Sequence, residues 1–262
     1  MSYAANHNRT APLARRRGPG WLADCLYGVY AWAVFALVLP AFGTAIIALR
    51  RPARARPVAR AGCRLLFRLL GMPLSAHGLE RLPPGSQRHL LLVNHSSFLD
   101  GLALMAMLPA RPGYAFVVRQ QFRLQGLLCP LVRALGTVVL APASAGSHAG
   151  NAARIAHALR RRGNLIVFPE AGFVPEPGLR RFHSGAFVTA AQAGCPLVVA
   201  GLHGAREALR PRGWLPRRAA LTLEIGPTLQ PGREDIGPAM RAARQAMLAL
   251  TGEPDMAGQA QR

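Results

Sequence analysis

The stretch HLLLVNHSSFLDGLALM, residues 89–105, changes character twice. Its apolar run at 90–93 has the length of a strand, and polar residues follow directly at 94–97. A helical pattern then begins near residue 100. In α/β domains the active site lies at the carboxyl ends of the strands. The stretch therefore predicts a buried strand, a functional loop and a helix, in that order.

The same alternation continues on the C-terminal side of this stretch. Strand-like apolar runs lie at 89–93, 114–118, 137–140, 164–168, 196–200 and 219–225, and helical patterns at 100–109, 122–134, 149–161, 184–193 and 234–250. Strands that alternate with helices are typical of a sheet whose strands are mainly parallel. The sequence therefore predicts a single α/β domain from about residue 74.

The N-terminal side of the chain is different in kind. Residues 27–49 contain no charged side chain, a length that just crosses a hydrocarbon core of about 30 Å. Trp21 and Trp32, with two tyrosines between them, are typical of a membrane–water interface. Arginines flank both ends, so charge does not choose an orientation. Pro40 leaves a re-entrant hairpin open as an alternative, and a buried core helix is the other.

A basic amphipathic pattern follows at 50–72. Arg60, Arg64 and Arg68 recur at helical spacing, as do four leucines. This pattern is suited to an anionic membrane surface.

The charge of the chain is strongly positive. It has 32 basic and 11 acidic residues, net +21, and all the basic residues are arginine. A GC-rich genome explains this composition, and contact with anionic lipid or nucleic acid is the functional alternative. Aromatic residues make up only 6% and no nucleic-acid-binding motif is present, which disfavours nucleic acid. The four cysteines form no CxxC pair, so no zinc site is predicted.

His95 and Asp100 are the candidate catalytic pair. Ser96 or Ser97 can cap the helix that begins after them, and the loop can turn the imidazole back toward the carboxylate. A carboxylate on one ring nitrogen makes the other a base for an alcohol proton. There is no G-x-S-x-G motif for a serine nucleophile. Spacing alone favours a different interpretation, a histidine at a strand end with a local hydrogen bond.

Four motifs occur in order along the chain. They are N-H-S-S-F-L-D-G (94–101), F-V-V-R-Q-Q-F (116–122) followed by P-L-V-R-A-L-G-T-V (130–138), F-P-E-A-G-F (168–173) with R-R-F-H-S-G-A-F (180–187), and C-P-L-V-V-A-G-L-H-G (195–204). Together they resemble the motifs of the glycerolipid acyltransferase family, typified by lysophosphatidic acid acyltransferase, over about residues 74–225.

The resemblance implies an O-acyltransferase of phospholipid biosynthesis with a groove or tunnel for the acyl chain. The acyl group would pass from acyl-CoA or acyl carrier protein to a lysophospholipid hydroxyl, by default turning lysophosphatidic acid into phosphatidic acid. His95 would be the general base and Asp100 would orient it, with no metal and no bound cofactor. The matching substrate-binding residues are Asn94, Arg119, Phe168, Pro169, Glu170, Arg180, Arg181 and Gly185. The implied location is the cytoplasmic (inner) membrane, with the active site facing the cytoplasm, an anionic membrane as partner and no nucleic acid.

With the resemblance, the chain divides into four parts. A basic tail is predicted at 1–20, a hydrophobic membrane segment with its amphipathic helix at 21–72, the acyltransferase domain at 74–250 and a flexible tail at 251–262.

The third motif departs from the family pattern. Phe173 stands where the family has an arginine that pairs with the acceptor phosphate, and Ala171 stands where it has glycine. Arg180 or Arg181 could replace that arginine, or both could be solvated loop charges. A lyso-aminolipid or another hydroxylated lipid is therefore an alternative acceptor. A basic, non-catalytic membrane- or nucleic-acid-binding protein is the alternative from a different class.

Overall fold

The computed structural model describes residues 21–85, 87–111, 113–119, 129–141, 147–211, 213–232 and 234–258. The side chains of residues 119, 147–149 and 162 lie outside this description. The predicted basic tail at 1–20, the first part of the helix predicted at 122–134 and the last residues of the predicted tail also lie outside the described residues.

The helices and strands follow the predicted order. They are α1 (Trp21–Leu49), α2 (Pro52–Leu69), β1 (Leu74–His77), β2 (Leu90–Val93), α3 (Asp100–Met107), β3 (Tyr114–Arg119), α4 (Cys129–Ala134), β4 (Val138–Leu140), α5 (Ser147–Arg162), β5 (Asn164–Val167), α6 (Gly185–Ala193), β6 (Leu197–His203), α7 (Ala205–Ala208), β7 (Leu221–Leu229) and α8 (Gly237–Thr251). All six predicted strands are present, and β1 is an additional one. Its sequence, LSAH, is half-buried and has no apolar run that would reveal it.

The strands form one seven-stranded sheet in the order β1-β7-β6-β2-β5-β3-β4. Every neighbouring pair is parallel except β6 and β7, which are antiparallel. The α/β fold with a mainly parallel sheet is thus confirmed. Strand β2 lies in the middle, between β6 and β5, and its four residues are fully buried. The loops after β2 and β5 therefore leave the sheet at the same edge.

Alternate residues of each strand face two separate hydrophobic cores. Leu91 and Val93 pack with α1, α2 and α3 on one face of the sheet. Leu90 and Leu92 pack with α5, α6 and α8 on the other. Because helices cover both faces, β2 needs apolar side chains at every position, which is the pattern of the opening stretch.

Helix α1 forms a hairpin with α2. The hydroxyls of Tyr27 and Tyr30 donate hydrogen bonds to the carbonyls of Leu70 and Leu69, at 2.9 and 2.7 Å. Helix α1 runs without a break through Pro40, so it does not form the two half-helices of a re-entrant segment. It is the one helix of the described residues that is long and apolar enough to cross a membrane. Only 22% of its most apolar stretch of 18 residues is buried inside the protein, whereas a core helix would be mostly buried.

Part of the basic stripe on α2 faces the protein. The Nε atoms of Arg60 and Arg64 donate hydrogen bonds to the carbonyls of Leu108 (2.8 Å) and Ala106 (3.1 Å). Both carbonyls lie at the C-terminal end of α3, where the last carbonyls have no partner within the helix. The positive charge of arginine also interacts favourably with the negative end of the helix dipole. These two arginines therefore bind α3. The sequence pattern indicates instead that they face a membrane surface.

The end of the chain packs against the loop between β5 and α6. The N–H of Leu179 donates to the carbonyl of Pro254 at 2.8 Å, and the N–H of Met256 donates to the carbonyl of Leu179 at 3.0 Å. Residues 254–256 are thus hydrogen-bonded to the rest of the fold, whereas the sequence predicts a flexible tail from residue 251.

Candidate active site

His95 and Asp100 are in direct contact. The Nδ1 atom of His95 lies 2.7 Å from Oδ2 of Asp100, whose side chain is fully buried. The backbone N–H groups of Ser96 and Ser97 donate to the same oxygen, at 2.7 and 2.9 Å. Because an ionised carboxylate can only accept, we assign the imidazole proton to Nδ1, which leaves Nε2 as the basic nitrogen.

The two serines act differently from the prediction. Neither caps α3, whose N-cap residue is Leu99. Instead Asp100, the first residue of the helix, accepts from the loop that precedes it. We call residues 94–99, between β2 and α3, the catalytic loop, after the role predicted for His95. The Ser97 hydroxyl donates to the carbonyl of Leu209 at 2.7 Å and connects this loop to the segment after α7.

Asn94 joins the end of β2 to β6. Its amide nitrogen donates to the carbonyl of Leu202 at 3.0 Å, and its amide oxygen accepts from the N–H of the same residue at 2.7 Å. The side chain is buried, so both its polar ends are satisfied by one backbone unit. Asn94 thus fixes where the catalytic loop leaves the sheet. Its predicted contact with substrate stays a prediction.

Glu170 lies three residues after the end of β5 and contacts the backbone of the catalytic loop. Its Oε1 accepts from the backbone N–H of His95 at 2.9 Å, and its Oε2 accepts from the N–H of Arg180 at 2.8 Å. Burial raises the pKa of this carboxyl to about 7, although the two N–H donors favour its charged form. Glu170 therefore joins the loop that contains His95 to the segment that contains the candidate phosphate-binding arginines.

Ala171, the next residue, has a left-handed backbone with φ 58°. A side chain with Cβ is disfavoured there, and glycine is the usual residue. The departure from the family glycine thus introduces local strain beside Glu170.

Aromatic rings enclose the imidazole. The Phe168 ring stacks on His95, with centroids 4.1 Å apart and planes at 16°, and the Phe173 ring meets it edge-on at 4.4 Å. Phe98 packs against Phe173 at 4.8 Å, with 58% of its surface exposed. The His95 side chain is only 12% exposed. The three rings therefore shield the imidazole of His95 from water and place apolar surface beside it.

Arg180 and Arg181 have different surroundings. Arg180 is half-buried, and its Nη1 lies 3.9 Å from the point that a Cβ on Gly172 would occupy. Arg181 is exposed. Arg180 therefore lies against the Glu170–Phe173 turn, and Arg181 faces solvent.

The other predicted binding residues lie at or near this edge of the sheet. Pro169 is buried, and its carbonyl accepts from the N–H of His183 at 2.9 Å. Gly185 begins α6, and a Cβ on it would meet no atom within 4 Å. Arg119 ends β3, two strands from β2, and its side chain lies outside the described residues.

Arg244, on α8, was not indicated by any motif. Its guanidinium donates to the carbonyls of Leu179 at 2.8 Å and Arg180 at 2.7 Å, and it forms an ion pair with Asp255. It also lies 5.3 Å above the Phe182 ring. These contacts fix the backbone of the segment whose N–H binds Glu170.

Arg206 and Glu253 form a second support of the same loop. One nitrogen of Arg206 donates to the carbonyls of Val174 and Glu176, at 2.8 and 2.9 Å. Another pairs with Glu253 at 3.2 Å, and Glu253 accepts from the N–H of Gly178. No local pattern marks these residues, because their partners are 30–75 positions away.

Two cysteines and one histidine outside this site, Cys63, Cys195 and His89, are buried. Burial raises the thiol pKa of Cys63 to about 12 and of Cys195 to about 11. The Nε2 atom of His89 lies 2.9 Å from the Tyr114 hydroxyl. Across the described residues, no group of three or more His, Cys, Asp or Glu side chains could hold a metal ion.

The chain resembles known acyltransferases in sequence and in fold. The sequence model of a family described as acyltransferase matches residues 74–202, which include His95, Asp100 and all the predicted binding residues. A crystal structure of the 1-acyl-sn-glycerophosphate acyltransferase PlsC from Thermotoga maritima superposes with a TM-score of 0.66 at 18% identity, over 86% of this chain and 91% of that one. A search of proteins of curated function gives no significant match. The protein is therefore an acyltransferase, and its residues 74–202 match the sequence model of the acyltransferase family.

Proposed function

We propose that the protein transfers a fatty acyl group from acyl-CoA or acyl carrier protein to the hydroxyl of a lysophospholipid, with lysophosphatidic acid as the default acceptor. The observation that supports this most directly is the 2.7 Å contact between His95 and Asp100 within the matched region. The similar fold of a 1-acyl-sn-glycerophosphate acyltransferase supports the acceptor class.

The reaction follows from the assigned tautomer. Nε2 of His95 takes the proton of the acceptor hydroxyl while the hydroxyl oxygen forms a bond to the thioester carbonyl carbon. The C–S bond then breaks, and the imidazolium returns the proton to the leaving thiolate. Asp100 stabilises the imidazolium and holds the ring in its orientation. General-base catalysis of this kind increases the reaction rate by about 10²–10⁴-fold.

The acceptor phosphate is assigned to Arg180. Its guanidinium lies against the turn after Glu170. Burial raises the pKa of the Glu170 carboxyl and the charge of Arg180 partly offsets this rise, but among the described residues no carboxylate lies within 4.0 Å of the guanidinium. A guanidinium suits a phosphate because its planar donors match the phosphate oxygens. Arg119, at the same edge of the sheet, is the second proposed phosphate ligand.

A phosphate-free acceptor, such as a lyso-aminolipid, is the second candidate. Phe173 favours it, because its ring contacts both His95 and Phe98 and can neither donate to nor pair with a phosphate. The non-catalytic binding protein, the alternative from a different class, is disfavoured by the family match.

The proposed location is the cytoplasmic membrane, with α1 in an anionic leaflet and the active site toward the cytoplasm. The exposed apolar side chains of α1 support this proposal. They include Leu22, Leu26, Val29, Leu37, Leu39 and Ile47. The acyl donors named above are made in the cytoplasm, which supports the orientation.

The decisive experiment is an acyl-transfer assay with the purified full chain, labelled acyl-CoA or acyl carrier protein, and a panel of lysolipids with and without phosphate. Product with lysophosphatidic acid is expected from the wild type, and its loss from His95→Ala. Transfer by His95→Ala at the wild-type rate would show that the mechanism is wrong. Product only with phosphate-free acceptors would favour the second candidate.

A further inference from the structure

The segment between α7 and β7 packs on the first half of α1. We call residues 209–211 and 213–218 the Trp214 loop. The Trp32 indole N–H donates to the carbonyl of Trp214 at 2.7 Å, and Arg217 pairs with Asp24 at 3.8 Å. A Cβ on Gly28 would lie only 2.1 Å from the Leu215 side chain, so glycine permits this close approach. The loop is therefore fixed to the predicted membrane helix.

The Trp214 loop exposes a large aromatic ring. The chain has three tryptophans, and 42% of Trp21, 42% of Trp32 and 70% of Trp214 is accessible. Trp214 is the most exposed aromatic side chain of the described residues. Exposed tryptophans grouped on one surface are unfavourable in water and typical of the lipid–water interface, where the ring is buried and the N–H stays hydrated.

The charge of the loop complements anionic lipid. Arg210, Arg217 and Arg218 belong to it, and it contains no acidic residue. Arg218 is exposed and lies 5.1 Å from the centre of the Tyr27 ring. Each arginine near an anionic leaflet contributes about a fivefold gain in binding. A ring of this size with arginines beside it fits a lipid headgroup layer better than a second protein.

The loop is also connected to the catalytic loop. Its first residue, Leu209, accepts the hydrogen bond of the Ser97 hydroxyl, and the N–H of Arg217 donates to the carbonyl of Ala208 at 2.8 Å. Ser97 is two positions from His95. One hydrogen bond therefore joins the Trp214 loop to the catalytic loop.

We infer that the Trp214 loop is a second membrane-binding surface, which inserts Trp214 among anionic headgroups beside α1 and so sets the catalytic loop at the surface of the membrane. The inference rests on the membrane attachment proposed above. The loop lies outside the matched residues 74–202, so the family match does not account for it.

Tryptophan fluorescence tests this position directly. Three full-length proteins are incorporated into vesicles of phosphatidylglycerol and brominated phosphatidylcholine in equal parts. One retains only Trp214 (Trp21→Phe, Trp32→Phe), one retains only Trp32, and a control without native tryptophan has Gln245→Trp on α8. Gln245 is exposed on the opposite face of the sheet. We expect a blue shift and strong quenching for Trp214 and Trp32, and neither for the control.

The outcomes separate this inference from the proposals on which it rests. The Trp32→Phe change removes the hydrogen bond to the Trp214 carbonyl, so the quenching of Trp214 is also taken as the difference between the wild type and Trp214→Phe, which both keep that bond. Quenching of Trp32 without quenching of Trp214 by either measure overturns the inference and leaves attachment by α1 intact. Absence of quenching for both overturns the inference together with the attachment, whereas the acyl-transfer assay in detergent tests the chemistry independently. Equal quenching of Trp214 on vesicles without phosphatidylglycerol overturns the preference for anionic lipid. The Trp214→Phe protein, which retains the backbone partner of Trp32, should lose the quenching that the wild type gains from Trp214.

Discussion

The backbone N–H of His95 donates a hydrogen bond to Oε1 of Glu170 at 2.9 Å. The position of His95, the proposed base, therefore depends on a buried carboxylate that follows a different strand, β5. Because the other oxygen of Glu170 accepts from Arg180, the base and the proposed phosphate ligand share one support.

Glu170→Gln should change how stability depends on pH. Burial raises the pKa of Glu170 from 4.5 to about 7, so between these values the folded chain retains a proton that the unfolded chain has lost. Raising the pH through this window therefore lowers the free energy of unfolding, by on the order of 3 kcal/mol for this group. Glutamine does not titrate, so the free energy of unfolding of the Glu170→Gln protein should not fall in this way as the pH rises. Denaturant unfolding from pH 4.5 to 7 measures it, and parallel curves for both proteins would contradict the assignment.

Asp100→Asn should remove activity and leave the fold intact. Asparagine can still accept from the N–H groups of Ser96 and Ser97, but its amide favours the wrong tautomer of His95. We expect the acyl-transfer rate to fall by about 10³–10⁴-fold, as for the equivalent change in serine proteases. Asp235→Asn is the control, since its oxygen can still accept from the N–H of Gly237. A rate within tenfold of the wild type for Asp100→Asn would show that the carboxylate is not needed.

Arg244→Met should weaken both stability and acceptor binding. It removes two hydrogen bonds to carbonyls and the ion pair with Asp255, at a cost of about 2–4 kcal/mol. Because Arg180 then loses its backbone support, we expect KM for the acceptor to rise more than kcat falls. Arg241→Met, on the exposed side of the same helix, is the matched control. Equal effects of the two variants would rule out a role for Arg244 in positioning this segment.

Ala171→Gly should stabilise the protein. Relief of the left-handed backbone gains about 1 kcal/mol, after the greater freedom of glycine in the unfolded chain is subtracted. Ala249→Gly, at an exposed position of α8, should have the opposite sign, with a loss of about 0.5–1 kcal/mol. Thermal unfolding of both variants decides the question, and a shift in the same direction for both would contradict it.

The sequence predicts those parts of the fold and site that are determined locally. Strand β2 and the helix after it follow from apolar patterns a few residues long, and His95 meets Asp100 within five positions. The charge pattern of α2 gives the face of the helix but not what covers it, because arginines at helical spacing fit α3 carbonyls as well as lipid.

Contacts between distant segments could not be predicted. Asn94 pairs with a residue 108 positions away, and Arg244 reaches the carbonyl of Arg180 across 64. Both depend on the order of the strands, which no local pattern encodes. Strand β7 likewise has an alternating pattern that fits either direction, and only its pairing with β6 shows that it runs antiparallel.

Arg180→Gln separates the two candidate acceptors. Arg180 lies against the turn after Glu170, so its loss should raise KM for lysophosphatidic acid by about tenfold or more, the value of a charge-assisted hydrogen bond to phosphate. KM for a phosphate-free lysolipid should change little, because that acceptor offers the guanidinium no anion. Arg181→Gln is the matched control, since Arg181 is the next residue, is exposed, and loses the same charge. Steady-state kinetics with both acceptors measure the ratio. An equal change of KM for the two acceptors, or an equal effect of the Arg181 variant, would assign the phosphate to another residue.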